Sequence, residues 1–167
     1  VMTLKNIKRE RISSYIKKYP KAKFVAGKTP WEVVCEVALP CATQNELNEK
    51  DADLLIKNGC VCVGEGANMP STPEAIHQFT NHKILYAPGK ASNAGGVAVS
   101  GLEMAQNSLR YNWSRKEVDA KLQSIMAEIH QSCLYYGKEE GYVNYVKGAN
   151  IAGFVKVADA MLAQGVV

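Results

Sequence analysis

YAPGKASNAGGVAVSGLEMAQN, residues 86–107, joins a run of small residues to a helical pattern and guides the interpretation of the whole chain. The run ends in Gly95-Gly96, a pair that can adopt positive φ angles and let the backbone approach a ligand closely. A glycine-rich loop that leads into a helix directs backbone N–H groups and the positive end of the helix dipole at one point, which favours an anion. Ser100 is predicted to add a hydroxyl at this helix start. The alternative is a tight loop packed against a neighbouring element.

Strands and helices alternate upstream of this segment. The pattern predicts strands over 31–40, 60–64 and 83–88, separated by a helix from Asn48 to about 57 and a helix from about 72 to 81. The first of these strands is apolar on both faces, which is typical of a strand inside a parallel sheet. Because crossover connections are almost always right-handed, this order predicts an α/β fold with a parallel sheet.

The two ends of the chain are predicted to be mainly helical. A helix over 3–18 and a short strand at 23–26 are expected at the beginning. Three helices are expected after Gly96, over about 97–112, 114–136 and 143–163, and Ser114-Arg115-Lys116-Glu117 forms a capping box that opens the second. Many small residues in the last helix indicate close packing against another element.

The positive charge of the chain is local. The formal net charge is +4, but nine of the 20 Lys and Arg residues and only one of the 16 acids lie in residues 1–30, so the remainder has a net charge of −4. The first helix is amphipathic, with these apolar residues near one face: Leu4, Ile7, Ile12, Tyr15 and Ile16. A nucleic-acid or membrane-surface role for this basic segment is one interpretation, and a solvated helix face is the more ordinary one.

Five cysteines, an odd number without a CxxC pair, indicate buried free thiols in a reducing compartment, so we expect a cytoplasmic protein. No apolar run approaches the roughly 20 residues needed to cross a bilayer, and the first residues do not resemble a signal peptide. The three histidines have no matched partner in the sequence, and there is no metal-ligand spacing. The chain thus shows neither a metal site nor an obvious catalytic set.

Polar and glycine-rich tails follow the three predicted strands. They are Pro40–Asn45, Gly64–Pro70 and the segment after Tyr86. Ligands of open parallel sheets bind beyond the carboxyl ends of the strands, so neighbouring strands would bring these tails into one crevice. Asn68 and Asn93 offer donor and acceptor groups suited to an amide or a ribose, although each alone is more often a turn residue. GEGANM at 64–69 resembles the phosphate-binding GxGxxG but has Met69 in place of the third glycine, so we interpret it as a strand-end loop.

Four long motifs together resemble the hexameric glutamate dehydrogenases: LPCATQNEL (39–47), GEGANMPST (64–72), APGKASNAGGVAVSGLEMAQN (87–107) and NYVKGANIAGFVKVADAMLAQG (144–165). The resemblance covers nearly the whole chain in order, and it is greatest for the bacterial, NADP-linked branch. It implies a partial Rossmann-like sheet. Residues 1–96 would be the second half of a dinucleotide-binding domain, and residues 97–167 would be helices that return toward a substrate domain. The catalytic lysines and aspartate of the family, and its glycine fingerprint, would precede Val1, so the chain resembles an inactive C-terminal fragment.

The resemblance also implies roles for residues of this chain. Ser100 would hydrogen-bond the side-chain carboxylate of glutamate, and Gly96 and Val97 would form the wall beside that carboxylate and the nicotinamide. Asn93 would hold the nicotinamide carboxamide, and Asn68 the nearby ribose. The turn Cys41-Ala42-Thr43 would pack along the dinucleotide, mainly through backbone groups.

The activity implied for the full protein is the reversible oxidation of L-glutamate to 2-oxoglutarate and ammonia with NADP, or with NAD as the alternative. The resemblance implies a homo-hexamer as well, and no nucleic-acid or membrane partner. The competing hypothesis is a stand-alone nucleotide-binding or regulatory module without catalysis, which would bind a dinucleotide or adenosine ligand without a partner chain. A weaker one is nucleic-acid binding through residues 5–28, which salt would weaken if the mode is electrostatic.

Overall fold

The computed structural model describes residues 1–165, and they fall into two units, Val1–Pro30 and a second that begins at Trp31. The first unit contains a π-helical turn at Thr3–Ile7, a 3-10 turn at Ile12–Ser14 and a short helix α1 at Tyr15–Lys18. The prediction of one helix over 3–18 is therefore wrong, and so is that of a strand at 23–26. None of the residues in these turns is buried, and a short helix that buries no apolar face is marginal in water.

Three parallel strands form the sheet of the second unit, in the order β1-β2-β3: Val37–Ala38, Cys62–Gly64 and Leu85–Ala87. Their register aligns Ala38 with Val63 and Val63 with Tyr86, and this row faces the core. The predicted α/β fold with a parallel sheet is confirmed. The first strand is shorter than predicted, because a 3-10 turn occupies Pro30–Glu32. It lies at the edge of the described sheet, where β2 is its only described neighbour.

Two capped helices cover one face of this sheet, α2 at Glu49–Lys57 and α3 at Pro73–Asn81. The Asn48 side chain accepts hydrogen bonds from the amides of Lys50 and Asp51, while Thr72 caps α3, which has proline in its first turn. Both helix starts are as the sequence predicts, and Gly59 adopts φ +83° just after the C-cap of α2. The core they enclose includes these buried side chains: Leu47, Leu55, Val63, Phe79 and Tyr86.

The remaining helices are α4 at Gly89–Ser92, α5 at Gly95–Leu109, α6 at Arg115–Gly137 and α7 at Tyr145–Gln164. A short antiparallel pair that the sequence did not predict, β4 at Lys138–Glu139 and β5 at Tyr142–Val143, connects α6 to α7. The predicted capping box at Ser114 is present. The predicted glycine-rich loop is largely helical, and neither Gly95 nor Gly96 has a positive φ, so that expectation is wrong.

The predicted close packing of the last helix is confirmed at one position. A Cβ added to Gly148 of α7 would lie inside contact distance of the Cys133 carbonyl oxygen of α6. A Cβ added to Gly153 would meet nothing within 4 Å. Of the five cysteines, all are free, but only Cys60 and Cys133 are buried, and Cys41 is exposed. The expectation that the thiols are buried therefore holds for two of them.

Candidate functional site

The tails that follow the three strands meet at the carboxyl edge of the sheet. The amides of Gly66 and Ala67, after β2, donate to the Pro40 carbonyl, after β1, at 2.9 and 3.1 Å. The Asn93 side chain, beyond β3, donates to the Ala67 carbonyl at 3.0 Å. The predicted convergence of the three tails is therefore present, with hydrogen bonds that join each tail to the next, because the strands are neighbours and point the same way.

The two asparagines singled out by the sequence contact each other. Asn93 Nδ2 donates to Asn68 Oδ1 at 2.7 Å as well as to the Ala67 carbonyl. A backbone carbonyl can only accept, so this contact defines which side of the Asn93 amide carries its nitrogen. Asn93 Oδ1 and Asn68 Nδ2 have no hydrogen-bond partner among the described residues. The pair therefore presents one free acceptor on Asn93 and one free donor on Asn68, which suit amide and hydroxyl groups of a ligand.

The Cys41-Ala42-Thr43 turn is exposed and is held by Glu46. The Glu46 carboxylate accepts the amides of Ala42 and Thr43 at 2.8 and 3.3 Å. Cys41 lies against Gly66, where an added Cβ would collide with the cysteine Sγ. The turn is thus packed onto the tail of β2, and the amides of Ala42 and Thr43 are already satisfied within the chain.

Gly96, Val97 and Ser100 share an exposed face of α5. Val97 is 76% exposed, and a Cβ added to Gly96 would meet nothing within 4 Å, so this face is open. The prediction that Ser100 lies at the start of the helix is wrong, because α5 begins at Gly95 and Ser100 is more than one turn further on. Its hydroxyl donates to the Gly96 carbonyl at 3.2 Å. Residues 89–96 form α4, a short turn and the start of α5 instead of a loop, so α5 begins upstream of the predicted helix start.

Glu65 is the polar residue of this region that the sequence interpretation missed. It is only 4% exposed, although it lies in the tail after β2. Its Oε1 accepts the Ser71 amide at 3.2 Å and its Oε2 accepts the Gly89 amide at 2.6 Å. The signal that could have found it is strand periodicity: Val63 faces the core, and side chains two residues apart in a strand point to the same face.

Two further hydroxyls are buried beside Glu65. Tyr86 is 1% exposed and Ser71 is 3% exposed, and neither hydroxyl oxygen has a hydrogen-bond partner in the described part of the chain. Burial, followed by the nearby Glu65 carboxylate, raises the pKa of the Tyr86 phenol far above its ordinary value. All three side chains line a cavity of about 230 Å³. Within residues 1–165 no group of His, Cys, Asp and Glu side chains could hold a metal ion, and no helix is long and apolar enough to cross a membrane.

A parallel sheet packed against helices, with polar side chains suited to ligand binding at the carboxyl ends of its strands, defines a Rossmann-like α/β protein. Residues 1–165 match the Glutamate/Leucine/Phenylalanine/Valine dehydrogenase family. The chain belongs to this family.

Individual relatives agree with this membership. The chain is 62% identical over 168 residues to the glutamate dehydrogenase of Bacteroides thetaiotaomicron, covering 100% of this chain and 38% of the relative. It is 61% identical to the NAD-specific glutamate dehydrogenase of Bacteroides fragilis, covering 93% of this chain and 35% of the relative. It is 58% identical to the NADP-specific glutamate dehydrogenase of Haemophilus influenzae, covering 98% of this chain and 36% of the relative.

The fold also matches a solved structure. The crystal structure of Plasmodium falciparum glutamate dehydrogenase superposes with a TM-score of 0.93 at 47% identity, covering 99% of this chain and 36% of that one. The chain thus spans between a third and two fifths of the length of the relatives it matches. Both NAD-specific and NADP-specific enzymes are among them, so the comparisons support a nicotinamide dinucleotide without selecting one.

Proposed function

We propose that the complete protein to which this chain belongs is a glutamate dehydrogenase. It would convert L-glutamate, water and an oxidised nicotinamide dinucleotide to 2-oxoglutarate, ammonium, a proton and the reduced dinucleotide. The names of the relatives support the reaction, and the paired amides of Asn93 and Asn68 at the strand ends are the structural observation that supports it best. Residues 1–96 would contribute to the dinucleotide-binding domain, and residues 97–167 would return toward a substrate domain.

The amide pair suits the nicotinamide end of the dinucleotide. In the proposal the Asn93 Oδ1 accepts from the carboxamide, and Asn68, at 2.7 Å from Asn93, reaches the adjoining ribose. The Cys41-Ala42-Thr43 turn would lie along the dinucleotide, with contacts limited by the hydrogen bonds that Ala42 and Thr43 already give to Glu46. When bound, the nicotinamide accepts the hydride that glutamate loses, while the protein supplies orientation and electrostatics.

The open face of α5 would hold the substrate. We propose that the Ser100 hydroxyl turns from the Gly96 carbonyl to the distal carboxylate of glutamate, with Gly96 and Val97 beside it. The absence of side-chain bulk at Gly96 leaves room for that carboxylate to approach the helix. Since Ser100 lies more than one turn into α5, its hydroxyl contributes more to this contact than the helix dipole does, because the effect of the dipole is limited to the first turn.

The proposal is tested by assaying the purified complete protein for glutamate-dependent reduction of NAD and NADP. In that protein we expect Ser100→Ala to raise the glutamate KM or lower kcat by about 10- to 100-fold, because a hydrogen bond to a charged group is worth about 1.5–3 kcal/mol. The KM for the dinucleotide should remain nearly unchanged. Ser108→Ala, at a position further along α5, is the matched control and should leave both constants unchanged.

Two outcomes would contradict these assignments. A complete protein that reduces neither dinucleotide with glutamate would exclude the proposed reaction. Unchanged glutamate constants in the Ser100→Ala protein would exclude the role given to that hydroxyl. The chain of residues 1–167 alone should show no turnover, because no catalytic lysine or aspartate is assigned within it.

We further propose NADP as the cofactor, with NAD as the alternative, a homo-hexameric complete protein, and a cytoplasmic location. The sequence motifs resemble the NADP-linked branch, which favours the first, although the NAD-specific and NADP-specific relatives are similar in identity, at 61% and 58%. The family resemblance supports the second. Five free cysteines support a reducing compartment. Parallel kinetics with NAD and NADP, and sedimentation of the complete protein, test the first two directly.

A further inference from the structure

Glu65 connects the tails of two strands through both its backbone and its side chain. Its amide donates to the Ala87 carbonyl at 3.1 Å, and its carbonyl accepts the Ser92 hydroxyl at 2.5 Å. Its carboxylate accepts the Gly89 amide at 2.6 Å. The fourth bond, from the Ser71 amide at 3.2 Å, reaches the residue just before the N-cap of α3. One residue of the β2 tail thus holds the start of α4 and the approach to α3.

The carboxylate has no ion-pair partner among the described residues, although Glu65 is buried. Its two oxygens are satisfied by two backbone amides, one for each oxygen. Hydrogen bonds from amides to a charged acceptor are stronger than hydrogen bonds between neutral groups. A buried acceptor that loses its donor lowers the free energy of unfolding. One donor is the first residue of α4 and the other forms an isolated bridge with Leu47 just before α3, so the carboxylate joins these two segments.

Gly89 transmits this arrangement to the asparagine pair. A Cβ added to Gly89 would lie 3.1 Å from Glu65 Oε2, 3.0 Å from the Ala67 carbonyl oxygen and 3.4 Å from Asn93 Nδ2. The Ala67 carbonyl is the group that orients the Asn93 amide. Glu65, Ala67 and Asn93 therefore pack against the same glycine, and a displaced Glu65 carboxylate would displace the partners of Asn93.

We propose that Glu65 is a positioning residue for dinucleotide binding, acting through Gly89 and Ala67 to hold the Asn93 and Asn68 amides in register. This inference rests on the proposed function, because the group positioned is the nicotinamide. Glu65 would touch neither substrate nor dinucleotide. Its effect should fall on dinucleotide affinity, whereas the open face of α5 that would take glutamate contains none of its hydrogen-bond partners.

The test uses Glu65→Gln in the complete protein. Glutamine keeps the size of the side chain but has one oxygen, so its NH₂ group would face the Ser71 or the Gly89 amide and leave that donor unpaired. We expect the Kd for the reduced dinucleotide, measured by its fluorescence, to rise about 10- to 100-fold, with the dinucleotide KM rising in parallel. The KM for glutamate should change less than about threefold. Glu128→Gln is the control, because it makes the same substitution at an exposed position of α6, and it should leave all three constants unchanged.

A purely structural role predicts a different result. Loss of folded protein in the Glu65→Gln variant would lower the active fraction without altering dinucleotide Kd or KM, and unchanged affinity would overturn the proposal. If that variant does not fold, Ser92→Ala decides the question, because it removes only the Ser92 hydroxyl, whose shortest bond is to the Glu65 carbonyl and whose longer ones reach the Ala87 and Pro88 carbonyls. We expect a rise in dinucleotide Kd of about 2- to 10-fold for Ser92→Ala, and a wild-type Kd would again overturn the proposal.

The wild-type protein separates this inference from the proposed function. A protein that binds the dinucleotide but does not oxidise glutamate would exclude the proposed reaction and leave the affinity comparison to decide the role of Glu65. A complete protein that binds neither NADH nor NADPH would overturn both.

Discussion

Buried polar groups that lack partners are unusual in proteins, and two of them lie next to Glu65. The hydroxyls of Tyr86 and Ser71 are each almost inaccessible and have no hydrogen bond in residues 1–165. Burying an unpaired hydroxyl costs on the order of 1–3 kcal/mol. The rest of Tyr86 is well packed, with its ring stacked 5.6 Å from that of Phe79. Tyr86 thus combines a well-packed ring with a buried hydroxyl that lies near Glu65 and Ser71 but outside hydrogen-bond geometry.

This combination predicts the effect of Tyr86→Phe. The substitution removes the unpaired oxygen and keeps the ring, so the free energy of unfolding should be unchanged or higher by about 1 kcal/mol in urea denaturation. Tyr142→Phe is the matched control, because the Tyr142 hydroxyl donates to the Ile84 carbonyl at 3.1 Å and its loss should cost about 1 kcal/mol. A greater loss from Tyr86→Phe than from Tyr142→Phe would mean that the Tyr86 hydroxyl is paired in solution.

The backbones of α6 and α7 approach each other closely at glycine positions. The Gly148 Cα faces the Cys133 backbone, and Gly137 at the end of α6 faces the Asn144 carbonyl in the same way. A side chain at either position would have to push the two helices apart. A small residue in α7 is therefore required for packing only on the side of the helix that faces α6.

A pair of glycine substitutions in α7 separates these positions. Gly148→Ala should lower the free energy of unfolding by about 1–3 kcal/mol, because its methyl group would overlap the α6 backbone. Gly153→Ala should raise it by about 0.5–1 kcal/mol, because an added Cβ meets nothing within 4 Å and alanine is the better helix former. Thermal unfolding of both variants measures the difference. Equal effects in the two variants would contradict the contact between α6 and α7.

In the whole molecule, the described sheet is buried on one face and partly exposed on the other, where α7 contacts β3 and Cys62 is half-buried. The register aligns Val37, Cys62 and Leu85 in a row opposite to the buried row, and Val37 and Leu85 are 51% and 46% exposed. Apolar side chains of α7 are exposed too: Phe154, Val157, Met161 and Leu162. Exposed apolar surface of this extent is typical of an interface.

We therefore expect the chain of residues 1–167, produced alone, to self-associate. Apolar surface and the free sheet edge at β1 are the physical reasons, because both can be covered by a second copy. Sedimentation velocity over a range of concentrations should show a rising average mass, and a hydrophobic dye should bind more strongly than to the complete protein. A monomer at all concentrations with no dye binding would contradict this expectation.

Local interactions explain which parts of the fold could be predicted from the sequence. Helix caps at Asn48, Thr72 and Ser114 are determined by residues within three positions of each other, so α2, α3 and α6 begin where the pattern predicts. The alternation of short apolar runs with these helices was sufficient to predict the parallel sheet. The basic segment was predicted less well, because an amphipathic pattern becomes a stable helix only when its apolar face is buried.

The candidate site, which includes residues 86–107, also combines features that local sequence predicts with features that depend on distant contacts. The sequence alone predicts that small residues follow a strand there, that Asn68 and Asn93 belong to strand tails, and, through long motifs, which family the chain resembles. The start of α5 at Gly95, the contact of Asn93 with Asn68 and the burial of Glu65 between two backbone amides are seen only in the folded chain. Caps and periodicity act over a few residues, whereas the contacts of Asn93 with Asn68 and of Glu65 with Gly89 join positions 25 and 24 residues apart through the register of parallel strands.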